Sequence, residues 1–332
     1  MDKVIRWGIL GTGQIARALA FALQEVAGAK LVAVASRGSA GADKFGREFG
    51  VGRCHASYQA LADDPDVDVI YIATPHAMHA ENTLMCLNGG KHVLCEKAFA
   101  MNRREAAEMV DLARHKQLFL MEAMWSRFLP AIGEVRRIID SGEIGKVAQI
   151  QSDFGFTAPE VGPQHRLLNP ALGGGALLDI GIYPLSLSAF FLGPVAAVQA
   201  VAEMGPTGVD LQTAFSLRHR DGGVSSCVCS IRAQSPSDMT IAGPLGHIRI
   251  HNRFFQAQTL SVETLDGNAR TVEFPHIGSG YAYEVVEVMR CLRAGLIESP
   301  LMPHAETLAL MGVLDTIRAQ IGLAYGADQV RP

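Results

Sequence analysis

The chain has 332 residues, 48% hydrophobic and 19% charged, with a net charge of −4. That length suits two domains, and the composition excludes a disordered chain. The mild acidity, with a pI near 6.3, gives no electrostatic case for nucleic acid or an anionic membrane as partner. No apolar run approaches the ~20 residues that cross a bilayer, no leader-like segment opens the chain, and the six cysteines form no CxxC pair. A cytoplasmic protein with reduced thiols is expected.

Strands are predicted over 4–10, 30–36, 67–73, 92–95 and 118–121. They are apolar nearly throughout, as parallel strands covered on both faces are. Helical patterns occupy 14–26, 40–49, 80–88 and 103–115. Asn102 with Glu105 resembles a capping box opening the last of these, and Gly89-Gly90 closes the helix before it. Strands alternating with helices predict an α/β domain over residues 1–123, with the doubly wound parallel sheet of the Rossmann type. After residue 123 the pattern changes. A helix over 129–141 and a strand over 147–154 precede a glycine- and proline-rich stretch, 155–175, and an apolar helical segment, 176–191. From 195 to 274 short strands are separated by turn signals such as Asp221-Gly222-Gly223 and Asp266-Gly267, which predicts antiparallel pairing. Helices over 283–294 and 305–323 close a second, α+β domain spanning 124–332.

The first strand runs straight into Gly11-Thr12-Gly13-Gln14-Ile15-Ala16. In this GxGxxA turn Gly11 permits a tight bend, Gly13 lets a pyrophosphate approach the backbone, and Ala16 allows close helix–strand packing. The helix that follows offers free N–H groups to phosphate. A glycine turn without a ligand is the alternative, disfavoured by its place inside a complete βαβ unit. The second strand ends Ala35-Ser36-Arg37, without the carboxylate that takes an NAD ribose. Arg37 can clamp a 2′-phosphate and Ser36 can hydrogen-bond to it, so NADP(H) is expected rather than NAD.

The segment 90–97 is a strand with Glu96 and Lys97 at its C-terminal end, where doubly wound sheets bind ligands. A lysine there can hydrogen-bond to a substrate oxygen or lower the pKa of a neighbouring acid. In Gly173-Gly174-Gly175-Ala176-Leu177-Leu178-Asp179-Ile180-Gly181-Ile182-Tyr183 the glycines allow close backbone approach. Asp179 and Tyr183 stand four apart and so share a helix face. In an apolar segment both need partners, either each other or Lys97, and a purely structural Asp–Tyr hydrogen bond is the alternative. Pro184 is expected to distort the helix at this turn. His76 and His79 have no third ligand nearby, so no metal is expected. The stretch 251–255 could reach the substrate pocket from the second sheet.

Five segments, GILGTGQIA at the start, ASR at 35–37, CEK at 95–97, EAMWSRF at 122–128 and GGGALLDIGIY at 173–183, together resemble the family of glucose–fructose oxidoreductase and inositol dehydrogenase (Gfo/Idh/MocA). The likeness is greatest to its branch of dimeric dihydrodiol and NADP-dependent D-xylose dehydrogenases. The resemblance implies that the second domain carries a large open sheet used for homodimer or higher oligomer formation. It implies Lys97, Asp179 and Tyr183 as the catalytic set, and Thr74, Pro75, His76, His79 and Glu96 along the cofactor. Trp125 would wall the site and Arg166 would face the cofactor. The implied activity is NADP(H)-dependent hydride transfer with a sugar, polyol or cyclic dihydrodiol. Tyr183 would be the general base, Lys97 would lower its pKa, and Asp179 would orient either one. A same-fold enzyme for inositol or a 1,5-anhydro sugar, and a non-catalytic dinucleotide-sensing regulator, stand as alternatives. Tyr183, where other branches carry His, leans away from inositol. The family has Glu-Lys-Pro with a cis bond before the proline, and this chain has Glu96-Lys97-Ala98, so the peptide is either trans or cis without proline.

Overall fold

The computed structural model describes residues 4–329. They form two compact units, one running up to Trp125 and resuming at Ile277–Leu308, the other comprising Ser126–His276 and the described residues from Ala309 onward. The units are discontinuous, where the sequence pattern suggested a single cut after residue 123.

The first unit contains β1 (Ile5–Leu10), α1 (Gln14–Glu25), β2 (Ala29–Ala35), α2 (Ser39–Phe49), β3 (Arg53–His55), α3 (Tyr58–Ala62), β4 (Val69–Ile72), α4 (His79–Asn88), β5 (His92–Glu96), α5 (Arg103–Lys116) and β6 (Leu120–Ala123). The six strands are all parallel, in the order β3-β2-β1-β4-β5-β6. Helices cover both faces, so successive residues such as Ile70, Tyr71 and Ile72 are all fully buried. That two-sided burial is why these strands read as continuous apolar runs. Strand order reverses between β1 and β4, which opens a crevice at the carboxyl ends of the strands.

The second unit begins with α6 (Pro130–Asp140), β7 (Gln149–Gly155) and α7 (Ile182–Leu192). It continues through β8 (Val195–Met204), β9 (Asp210–His219), β10 (Val224–Ser230), β11 (Met239–Gly243), β12 (Gly246–Ile250), β13 (Thr259–Thr264) and β14 (Ala269–Glu273). These strands form one eight-stranded sheet, β14-β13-β12-β11-β7-β10-β9-β8. Its pairs are antiparallel except β7 with β10, which run parallel. β8 and β9 are ten residues each, longer than their turn-punctuated sequence suggests. Along β10, Ser225, Cys227 and Cys229 are buried beneath α7 while Val224, Ser226 and Val228 are exposed, so the sheet has one covered and one open face. Two helices finish the chain, α8 (Ala282–Arg293) and α9 (His304–Ile321). Within the first unit α8 packs on α1, and Leu120 N–H donates to the Ile297 carbonyl at 3.0 Å. Those contacts draw the late segment into the nucleotide-type unit.

The expectation that no apolar run has membrane-spanning length needs correction. The stretch Pro170–Leu192 meets that test by length and composition, and most of it is buried inside the protein. A helix apolar on every side is what a central core position also demands. Its interruption is local: Leu177–Gly181 forms a π-helical turn that runs into α7, with Pro184 in the first turn of α7. This is the distortion expected at Pro184, placed a few residues upstream of the ring.

Candidate active site

In the first unit the candidate residues gather at the strand ends. Gly11 follows β1 with φ +109°, and a Cβ there would lie 2.8 Å from the Ala73 carbonyl oxygen. Only glycine fits, because both the dihedral and the approach of β4 exclude a side chain. Gly13, Gln14 and Ile15 open α1, with Thr12 half-buried before them. A Cβ on Gly13 would meet nothing within 4 Å, and no side chain caps this helix start. The first N–H groups of α1 are therefore offered to an anion rather than spent on a cap. Ser36, half-buried, and Arg37, exposed, follow β2. These features fit a bound dinucleotide: an open glycine, an uncapped helix start and a guanidinium at the end of β2.

Thr74 is buried after β4, with Oγ1 accepting from Asn82, while Pro75 is exposed. His76 sets Nε2 at 3.2 Å from the Lys97 carbonyl oxygen. His79 was expected along the cofactor. It is fully buried, with Nδ1 2.9 Å from the Ala98 carbonyl and Nε2 2.9 Å from that of Thr74, and burial keeps the ring neutral, so its single N–H donates to one of these two carbonyls. Glu96 is buried at the end of β5. One of its oxygens accepts from the Tyr71 phenol and the other from Lys97 N–H at 3.2 Å. Burial, then the Glu96 charge, holds the Tyr71 phenol well above its ordinary pKa, so it remains the donor. Lys97 follows, half-buried, and the Lys97–Ala98 peptide is cis without proline. Trp125 stacks on Tyr281 at 4.3 Å between ring centroids. Tyr71 and Tyr281 escaped the sequence reading, since a tyrosine within a buried strand and one in a distant loop carry no motif.

In the second unit Asp179 lies in the π-helical turn and Tyr183 one turn on, both buried. Arg166 pairs with Asp179 at 3.0 Å, making it the carboxylate's partner, a role the sequence did not suggest. Tyr183 sits among aromatics: its ring centroid is 5.4 Å from that of Phe255 and 5.7 Å from that of Phe154, and those two phenylalanines stack on each other at 4.0 Å. Phe255 belongs to the stretch whose reach was uncertain from sequence. Gly174 is as tight as its motif suggests, since a Cβ would lie 2.8 Å from the Arg166 carbonyl oxygen. Among the described residues no group of three or more His, Cys, Asp or Glu side chains is placed to hold a metal ion.

A parallel sheet whose first turn is shaped for pyrophosphate, with an acid and an ammonium after β5 and a phenol–carboxylate turn in a second α+β unit, defines the class of nicotinamide-dependent oxidoreductases. The chain belongs to the oxidoreductase family with an NAD-binding Rossmann fold, Gfo/Idh/MocA: the family's N-terminal model matches residues 5–124 and its C-terminal domain model residues 132–249. It is 36% identical over 334 residues to trans-1,2-dihydrobenzene-1,2-diol dehydrogenase of Danio rerio, covering 98% of this chain and 99% of that one. The Homo sapiens protein of the same name is 33% identical over 337 residues with the same coverage. Among solved structures it is similar to a 3-ketoreductase from Actinomadura kijaniata in complex with NADP and TDP-benzene, at 27% identity, TM-score 0.85, and 96% and 98% coverage of the two chains. A levoglucosan dehydrogenase at 22% identity, TM-score 0.89 and 97% coverage of both chains shares the fold.

Proposed function

We propose that this protein is an NADP(H)-dependent dehydrogenase that oxidises a CH–OH group of a cyclic dihydrodiol, with ring sugars as the second substrate class. The observation that carries the reading is Tyr183: a buried phenol beside the stacked Phe154–Phe255 pair, one turn on from the Asp179–Arg166 ion pair. Aromatic faces accept the flat or apolar face of a ring better than an open chain. Full-length similarity to dihydrodiol dehydrogenases supports the same substrate class. Arg37 after β2, and the NADP complex of the 27% identical ketoreductase, support the phosphorylated cofactor.

When bound, the dinucleotide supplies a carbon that accepts or returns hydride. Gly11, Gly13 and the first N–H groups of α1 would hold its pyrophosphate, and Ser36 with Arg37 its 2′-phosphate. Tyr183 takes the proton of the substrate hydroxyl in oxidation and returns it to the carbonyl in reduction. Lys97 stabilises the developing alkoxide by its charge. Asp179, fixed by Arg166, orients the phenol. Six cysteines outside any disulfide support a reducing, cytoplasmic setting. The open sheet face with exposed Val201, Val224 and Val228 supports a homodimer.

Tyr183→Phe is expected to lower kcat at least ~100-fold with NADPH affinity unchanged. Near-normal turnover removes Tyr183 from the mechanism. A panel of cyclic diols, aldoses and polyols, read at the reduced-nicotinamide absorbance with NADP+ and NAD+, tests the substrate class. NADPH binding without turnover on any member of the panel points instead to a dinucleotide sensor.

A further inference from the structure

The glycine run before the π-helical turn is held by groups that the reaction does not use. Leu177, the first residue of the turn, donates its N–H to Asp210 Oδ2 at 2.8 Å, and the same oxygen accepts from Thr213 Oγ1 at 2.7 Å. The Tyr325 phenol donates to the Gly174 carbonyl at 2.6 Å. Between these anchors Gly175 sits at φ +120°, where a Cβ would overlap Asp210 Oδ1 and lie 3.3 Å from Tyr325 Oη. Asp210 is fully buried and its Oδ1 has no hydrogen-bond partner. A carboxylate held in this state costs stability, which marks a group kept for something other than packing. Burial raises its pKa, and burial followed by the Asp210 charge keeps the Tyr325 phenol neutral and donating.

The outer end of the arrangement is also fixed. Arg318, 4% exposed, bonds to Asp328 at 2.6 Å and Asp315 at 2.7 Å and lies 5.3 Å over the Tyr325 ring. Tyr325 N–H donates to the same Asp328 at 2.9 Å. β9, the end of α9 and the segment after it therefore converge on the backbone of residues 174–177, a few positions before the candidate base.

We propose that Asp210 and Tyr325 are positioning residues, which clamp the backbone on either side of Gly175 and so fix where Asp179 and Tyr183 stand, with Arg318 bracing the clamp. The inference rests on Tyr183 being the general base. A π-helical turn is a local departure from the α-helical ladder, so its placement depends on such outside anchors. Small misplacement of a reacting group is costly to rate while leaving cofactor binding intact.

The test uses the full-length protein carrying 3-fluorotyrosine, with the Tyr183 resonance assigned from Tyr183→Phe. Tyr325→Phe, which removes a single oxygen, and Asp210→Asn are each expected to lower kcat at least ~10-fold. NADPH Kd should stay within about twofold, and the Tyr183 fluorine resonance should shift or broaden. Wild-type kcat with an unmoved resonance in Tyr325→Phe overturns the proposal. A loss of activity that only tracks the folded fraction by circular dichroism, with the resonance unmoved, overturns it as well. If Asp210→Asn does not fold, Tyr325→Phe alone decides. If Tyr183→Phe itself turns over normally, the assignment of the base falls, while the resonance still reports on the clamp.

Discussion

Gly11 and Gly13 are two letters of one motif with different physical duties. Gly11 is forced by its positive φ and by the Ala73 carbonyl, whereas Gly13 stands in open space where only an incoming ligand would meet a side chain. The first glycine is a demand of the fold and the second a demand of binding. Arg37 is the matching case among charged residues. It is exposed, and a bound 2′-phosphate is the partner its place at the end of β2 suits. Removing a charged hydrogen-bond donor to phosphate costs about 1.5–3 kcal/mol. Arg37→Ala is therefore expected to weaken NADPH roughly 10- to 100-fold while NADH changes little. Fluorescence titration with both cofactors checks this, and equal weakening of the two would show that Arg37 does not read the phosphate.

At the scale of elements, α5 shows how local chemistry sets a boundary. Asn102 Oδ1 accepts the Glu105 N–H at 3.0 Å, and Glu105 reaches back to the Met101 N–H at 3.2 Å, one residue earlier than in the reciprocal capping box. The cap aims the buried face of Ala106, Met109, Val110 and Ala113 at the sheet. Asn102→Ala is expected to cost about 1 kcal/mol, and Asn102→Gly only a few tenths. Urea midpoints for the two variants give the comparison, and equal midpoints would remove the side-chain cap from the account. Such signals explain why the βαβ sequence, the glycine turn and the strand-end residues were legible from sequence alone: each depends on neighbours within a few positions. β3 and α3, three and five residues long, are too short to show a period. The parallel pairing of β7 with β10 joins segments far apart in the chain, and no local pattern announces it. For the same reason Phe255 beside Tyr183, Arg166 on Asp179, and Tyr325 on Gly174 became visible only once the chain was folded.

Across the whole molecule, each unit buries a titratable group, and the two have opposite proton linkage. His219, in the second unit, has Nδ1 2.8 Å from the Gly193 carbonyl and Nε2 2.8 Å from Ser225 Oγ, an arrangement that a neutral ring satisfies, and burial keeps its pKa below the ordinary value. The unfolded chain takes up a proton near pH 6.5 that the folded one refuses, so this contribution is present above about 6.5 and is lost as pH falls. Glu284, in the first unit, is fully buried with neither oxygen hydrogen-bonded, and burial, then the Glu96 charge, raises its pKa well above the ordinary value. Its contribution is present below the unfolded value of about 4.3 and is lost as pH rises. Urea denaturation between pH 5 and 8 is therefore expected to show the stability gap between wild type and His219→Gln moving in favour of wild type with rising pH. The gap to Glu284→Gln moves the other way. Parallel pH profiles for wild type and either variant would refute the linkage assigned to that group.

The return of Ile277–Leu308 to the first unit has a consequence for how such a protein can be recombined. A gene fragment ending at Trp125 encodes every strand of the parallel sheet, yet lacks α8, which packs on α1, and the carbonyl of Ile297 that receives Leu120. Grafting this nucleotide-binding half onto a foreign partner thus requires two splice points in register. A single crossover would leave a chimera with a flank of its first helix uncovered.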